Sequence, residues 1–376
     1  MSGTSLDGAD GVLVKFDNDK LTVLASASQP FTSVLRSELL ALNTSGADEL
    51  HRTAQAANQL AVIYAQVVNE LILRGRDQGV GREDILAVGV HGQTVRHQPR
   101  APSTADKNTG YTLQLNNPAL VAELTGIDVV ADFRSRDVAA GGQGAPLAPA
   151  FHQSMFSRAD ETVCVLNLGG IANLSVLRPS VAAAGKQADA VVGFDCGPGN
   201  ALMDAWCQRH TGQAYDLGGA WAATGKLIPE LLDSLLKEPY LTLAPPKSTG
   251  RDLFSLKWLD AKLKPFAGAK PQDIQNTLTE FTASACVSGV HSYGKNSKLL
   301  IVCGGGAFND HLMHRLQAGL PNILVSSSTA HGLPPLQVEA AAFAWLARQA
   351  VIRQAGNLAS VTGAAGPRVL GAIYPR

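Results

Sequence analysis

The chain is poor in aromatic rings and in charge: of 376 residues, 6% are Phe, Trp or Tyr and 16% are Asp, Glu, Lys or Arg. Neither sign is in excess, with 31 basic residues against 31 acidic ones. That balance removes the basic field that holds nucleic acid, so no nucleic-acid partner is expected, and any anionic ligand must be held by local geometry. Cysteine is scarce. Cys164, Cys196, Cys207, Cys286 and Cys303 form no CxxC pair and are odd in number, which reads as buried thiols in a reducing cytosol. His152, His210, His311, His314 and His331 show no metal-ligand spacing. Long apolar runs are missing as well. The longest, LAVIYAQVV at 60–68, is interrupted by Gln66 and too short for a bilayer. The first residues lack the basic and apolar regions of a secretory leader, so a cytoplasmic protein with no membrane partner is expected.

What is abundant is glycine, 37 residues, and hydrophobic side chains, 45% of the chain. The composition fills sizeable cores, and the length favours two domains. GVLVKF (11–16) and LTVLASAS (21–28) read as strands around an Asp-Asn-Asp turn. Residues 34–76 carry helical spacing, ILAVGV (85–90) reads as a buried strand, and 100–110 has loop composition. TLQL (112–115) and IDVVADF (127–133) read as strands around a helix at 117–125. A second series follows: strands TVCVLNLGG (162–170), ANLSVL (172–177) and AVVGFDCGPGN (190–200), a helix from Ala201, the strand-to-glycine junction LLIVCGGGAFN (299–309), and an apolar helix at 337–353. Each half opens on a strand–glycine turn–strand, which suggests a duplicated α/β unit with a cleft between.

Converging backbone N–H groups bind phosphate oxygens, and glycine keeps Cβ atoms out of the way. The turn MSGTSLDG supplies Ser2, Gly3, Thr4, Ser5, Asp7 and Gly8; NLGGIAN supplies Gly169, Gly170 and Asn173; CGGGAFN supplies Gly304, Gly305 and Gly306. None fits GxxxxGK[ST], and no GxGxxG with a downstream acid occurs near 304–309, so a P-loop and a dinucleotide-binding domain are both disfavoured. Asp195 in GFDCGPGN stands where a strand meets glycines, suited to a general base, or else to an N-cap for the helix at Ala201, a task open equally to Asn200. His91, Gln93 and Thr94 follow a buried strand, as ligand contacts or as a capping turn. Asp132, Arg134, Arg136 and Asp137 alternate in sign beside a glycine-rich loop, where Arg binds a carboxylate or phosphate or the charges pair with each other. Glu339 lies on an apolar helix, so a ligand or an Arg is expected to face it. Trp206, Trp221 and Trp345 read as core.

The blocks MSGTSLDGAD, HGQTVRHQP, ADFRSRDVAAGGQGAPLAPAFH, NLGGIANLS, GFDCGPGNALMDAW, PPKSTGRD, CGGGAFN and VTGAAGPRVLGAIYP span the chain, which closely resembles the anhydro-N-acetylmuramic acid kinases. The resemblance implies an α/β actin-like ATPase fold of two ribonuclease-H-like domains, each a mixed sheet flanked by helices. The domains expected are 1–155 with 350–376, and 156–349. It implies ATP and Mg²⁺ as cofactors, the anhydro sugar as substrate, and a homodimer. By resemblance, Ser2 to Gly8, with Leu6, form the first phosphate turn, Asp7 meeting magnesium through water. Gly169, Gly170 and Asn173 form the second, and Gly304 to Gly306 with Asn309 lie against adenosine. Asp195 matches the catalytic acid, and His91, Gln93, Thr94, Arg134, Arg136 and Glu339 match the sugar pocket. The implied reaction hydrolyses the 1,6-anhydro bond and phosphorylates O6, in salvage of cell-wall fragments. Another sugar or acyl kinase of the superfamily, or a non-catalytic ATP-gated module, is the competing reading. Relatives carry a short apolar strand before the turn. Here Met1 is the turn's first residue, so a late or truncated start, with weaker pinning of Gly3 to Asp7, is expected.

Overall fold

A computed structural model describes residues 1–3, 6–18, 20–99, 110–179, 191–250 and 253–376. The expectations for Thr4 and Ser5, and for most of the loop at 100–110, lie outside them. By contacts between Cα atoms the chain divides into Met1–Met155 with Gln337–Arg376, and Phe156–Leu336.

In the first unit β1 (Gly8–Asp17) and β2 (Lys20–Pro30) form a hairpin, with a bulge between Leu13 and Val14. A Cβ on Gly8 would lie 2.5 Å from the Gln29 carbonyl, so the hairpin closes there only with glycine. The helical spacing of 34–76 is realised as two helices, Ser33–Ala41 and Glu49–Arg76. The break falls at Thr44-Ser45-Gly46, where hydroxyls and a glycine favour a turn over a continuous helix. The long helix buries Leu60, Tyr64, Val67 and Leu71 against the hairpin, its apolar stripe recurring at three- and four-residue steps. β3 is only Val88–Val90 and pairs in parallel with β6 (Val129–Ala131), itself antiparallel to the last strand, Ala372–Tyr374. Between them β4 (Gln93–Pro99) and β5 (Gly110–Leu115) form a separate ribbon. The helix Val338–Val351 belongs to this unit, so the junction expected at 349/350 falls at 336/337. The cause is direct packing: a Cβ on Gly89 of β3 would lie 2.4 Å from the Phe343 carbonyl of that helix.

The second unit is built on one mixed sheet of β7 (Val163–Leu168), β8 (Ile171–Leu177), β9 (Val191–Pro198), β10 (Leu299–Cys303) and β11 (Leu324–Ser327). The order is β11-β10-β7-β8-β9, with β8 antiparallel to both neighbours and the other pairs parallel. That is the strand order of a ribonuclease-H-like sheet, the α/β class expected. Every residue of β10 is buried, as a continuous LLIVC run in a covered parallel strand requires. The helix Pro271–Tyr293 lies along this core with Leu278, Phe281 and Cys286 inward. All five cysteines are free and buried, and Trp206 and Trp345 are core residues. Among the described residues no helix is long and apolar enough to cross a membrane.

Candidate active site

In the second unit β7 and β10 run side by side in parallel, Asn167 opposite Cys303. Both therefore deliver their carboxyl ends to one edge of the sheet, the edge where open α/β sheets bind ligands. β7 ends in Gly169-Gly170 and β10 in Gly304-Gly305-Gly306. Gly304 has φ +78°, and a Cβ there would lie 2.5 Å from Asn167 Oδ1; a Cβ on Gly306 would lie 2.5 Å from Leu168 Cβ. These two glycines let the loop sit down on β7. Gly305 is roomier, its nearest neighbour being Asn200 Nδ2 at 3.6 Å. Asn200 is bonded to the first turn and lies against the second: its N–H donates to the Gly169 carbonyl (2.8 Å) and its amide to the Leu168 carbonyl (2.9 Å), and a Cβ on Gly306 would lie 3.1 Å from its Oδ1. It therefore stands at the start of the helix Ala201–Thr211 without capping it through its side chain.

Asp195 lies within β9, which continues to Pro198 instead of stopping at the acid. Gly197 and Pro198 still pair with Ala172 and Ile171 across a bulge, so the glycines do not end the strand at the acid. Asp195 is no helix cap. Its Oδ1 accepts from the Asn173 amide (2.8 Å) and its Oδ2 from the Thr249 N–H (3.0 Å). The backbone is pinned too, Asp195 N–H donating to the Lys247 carbonyl (3.2 Å) and Tyr240 Oη donating to the Asp195 carbonyl (2.9 Å). Burial raises the carboxyl above its ordinary pKa, while Asn173, Thr249 and the charge of Lys247 pull it back. The Lys247 ammonium donates to the Leu241 and Tyr240 carbonyls (3.0 and 3.3 Å) and stands 4.9 Å from the Tyr240 ring centroid. Asn173, expected on phosphate, thus orients the acid. Asn309, expected against adenosine, accepts from the Leu312 N–H (2.9 Å) and caps the helix Asp310–Gly319.

In the first unit the opening turn rests on the loop after β3. Ser2 Oγ bonds Tyr64 Oη (2.7 Å) and donates to the Gly92 carbonyl (3.2 Å), and the Gln93 amide donates to the Gly3 carbonyl (3.2 Å). Met1 and Asp10 exchange backbone hydrogen bonds of 2.7 and 2.8 Å, so the turn is pinned on both sides. The Ser2 hydroxyl is buried on Tyr64, and Leu6 turns its side chain into the core with Ala9 and Leu13. Leu6 has φ +56°, a conformation costing a leucine on the order of 1 kcal/mol. Asp7 is exposed at the turn.

His91 is buried, its ring 4.6 Å from Phe343. Its Nε2 accepts from Arg134 Nε (3.0 Å), and Arg134 Nη1 donates to the Gly144 carbonyl (2.7 Å). Burial, then the Arg134 charge, holds His91 well below its ordinary pKa. Burial lowers Arg134 to about 10 against the opposing pull of Glu339 and Asp137. Glu339, expected to face a ligand or an Arg, is exposed on the first turn of its helix and within electrostatic reach of Arg134. Thr94 Oγ1 accepts from the Gln114 amide (3.3 Å). Arg136 is exposed. Asp137 is fully buried and accepts from Gly144 N–H (2.8 Å), Asn357 (2.7 Å) and Thr362 (2.7 Å), so its hydrogen bonds go to groups other than the neighbouring arginines.

Sequence reasoning passed over Lys247 and Thr249, whose signal was the unassigned block PPKSTGRD, and Tyr240 a few residues before it. It also passed over Asn116, whose buried amide has no hydrogen-bond partner on either atom, like Gln93 Oε1 beside it. Asn116 touches the site through Gly92, where a Cβ would lie 3.3 Å from the Asn116 Cβ.

The family model described as anhydro-N-acetylmuramic acid kinase matches residues 1–376. A protein of that name from Variovorax paradoxus (strain S110) is 63% identical over 375 residues, covering 100% of this chain and 97% of its own. Those from Albidiferax ferrireducens and Cupriavidus metallidurans are 59% and 55% identical, covering 100% of this chain and 98% and 96% of their own.

Proposed function

The chain belongs to the anhydro-N-acetylmuramic acid kinase family, and on that premise we propose that it hydrolyses the 1,6-anhydro bond of anhydro-N-acetylmuramic acid and phosphorylates O6 with ATP. The observation that carries the mechanism is the Asp195 carboxylate, oriented through both oxygens and raised above its ordinary pKa by burial. A base so held accepts a proton from water. The hydroxide adds to C1, the C1–O6 bond breaks, and O6 takes the γ-phosphoryl group. The products are N-acetylmuramic acid 6-phosphate and ADP, the water proton leaving through Asp195 to solvent.

The glycine turns at 169–170 and 304–306 are the reading's nucleotide contacts, with backbone N–H groups stabilising phosphate charge. Gly305, uncrowded in its loop, is the position best suited to a close ligand. Arg134, Thr94 and Glu339 are the sugar contacts, Arg134 facing the sugar's carboxylate. Among the described residues no cluster of three or more His, Cys, Asp or Glu can hold a metal unaided. Asp7, an exposed hard-oxygen donor, fits a Mg²⁺ ion that keeps its waters and rides on phosphate, and Asp7 is the residue that would hold it. When bound, that ion supplies charge neutralisation at the phosphates. Five thiols free of disulfides suit the reducing cytosol, where we place the enzyme in the recycling of cell-wall fragments.

Mass spectrometry of the sugar product formed in ¹⁸O-water with magnesium ATP tests the reading. A 6-phosphate carrying ¹⁸O at C1 is expected. Turnover of the opened sugar alone, with the anhydro form untouched, would replace this reading with an ordinary hydroxyl kinase.

A further inference from the structure

We propose that His91 is a positioning residue for Arg134 and not itself a contact of the sugar. The inference rests on the reading of Arg134 as a sugar-pocket residue. A guanidinium Nε carries a proton and no lone pair, so the 3.0 Å bond from Arg134 Nε makes His91 Nε2 the acceptor. The single proton of the neutral imidazole then sits on Nδ1, and Nδ1 is sealed from solvent. Nε2 is thus committed to Arg134, while Nδ1 lies below the solvent-accessible surface without a hydrogen-bond partner. The ring is held in place by Phe343 at 4.6 Å, and burial keeps it neutral.

On its other side Arg134 is fixed by the Gly144 carbonyl (2.7 Å). Gly144 is fixed in turn by Asp137 Oδ2, which accepts its N–H (2.8 Å). Gly144 has φ +65°, so this carbonyl is presented from a left-handed backbone that glycine adopts freely. Two of the five guanidinium N–H donors are thus committed to the protein, one to each side. The plane of the guanidinium is set before any ligand arrives, and a long flexible side chain no longer has to be ordered on binding. A protonated His91 would present a donor to a donor, which is why the acceptor has to be a buried, neutral ring.

The test uses the full chain with His91→Gln, whose Oε1 restores an acceptor, and His91→Phe, which keeps a ring against Phe343 but accepts nothing. With H91F the KM for the anhydro sugar should rise about tenfold or more while the KM for ATP stays within about twofold. H91Q should recover most of the loss. In an Arg134→Lys background, which has no Nε–H at that position, H91F should add nothing further. The ¹⁵N imidazole resonances of the wild-type protein, assigned by difference from H91Q, should show His91 protonated on Nδ1 only. The proposal is overturned by H91Q being as impaired as H91F, by effects that multiply in the Arg134→Lys background, or by a proton found on Nε2. The tautomer is read without substrate, so a protein inactive on the anhydro sugar would defeat the functional reading and still leave His91 decided.

Discussion

In the proposed reaction a single carboxylate is the base, and its surroundings make opposite demands on it. Asp195 is buried, which disfavours its charge, yet it accepts two hydrogen bonds that favour it. The net shift is upward, so the folded state gains from Asp195 only while it is protonated. That gain is complete below the unfolded pKa and is lost as pH rises through the folded one. At pH 7 the ionised side chain therefore costs stability. Asp195→Asn should lower kcat by about 10²- to 10⁴-fold while leaving the melting temperature at pH 7 unchanged or raised, since Asn173 can turn its amide to accept from the new one. In the wild-type enzyme the acid limb of the kcat profile should lie above the ordinary carboxylate range. A variant that loses its melting temperature along with its rate would mark Asp195 as structural. Asp195 stands out in GFDCGPGN as a candidate, because an acid where a strand meets glycines reads as displayed at a strand end. The groups that tune it do not, since Lys247 and Thr249 reach it from a segment roughly fifty residues on by tertiary contact alone.

At the scale of elements, two parallel strands and their terminal glycines form one feature. LLIVC and TVCVLNL read as buried strands because continuous apolar runs leave few alternatives, and they fold as read. The polar stretch HGQTVRHQP gave no such pattern, and its strand, β4, pairs with β5 apart from the main sheets. The helical spacing at 34–76 does not mark where its two helices part, because periodicity carries across a short turn. The three glycines after β10 look alike in sequence but differ in space. Gly304→Ala or Gly306→Ala forces a methyl within 2.5 Å of β7 and should destabilise the protein by about 1–3 kcal/mol, read as a fall in melting temperature. Gly305→Ala should leave that temperature within a degree or so and raise only the KM for ATP. If all three destabilise alike, the loop is a packing device and Gly305 has no place against the nucleotide.

For the molecule as a whole, charge is informative by its balance. Thirty-one basic and thirty-one acidic residues give no long-range field to gather two anionic substrates, so capture falls to backbone turns and a few placed cations. Steered association weakens steeply with salt, whereas contacts made at short range in partly buried sites do not. We expect kcat/KM to change by less than about threefold between 50 and 300 mM salt; a steep decline would reveal a local field that the totals conceal. Family membership was legible from blocks spread over the full length, and so was the sheet that organises the second unit. The junction at 336/337 was not, because an apolar helix announces that it will be covered and not by what.

The burial of all five thiols has a use in the laboratory. Thiol reagents such as maleimides find no exposed native sulfur on the folded chain, so a cysteine introduced at the surface would be labelled alone, without first removing the others. Ser248, exposed and next to the Thr249 whose backbone holds Asp195, is such a position. A dye placed there would report on the surroundings of the Asp195 carboxylate in an otherwise native protein.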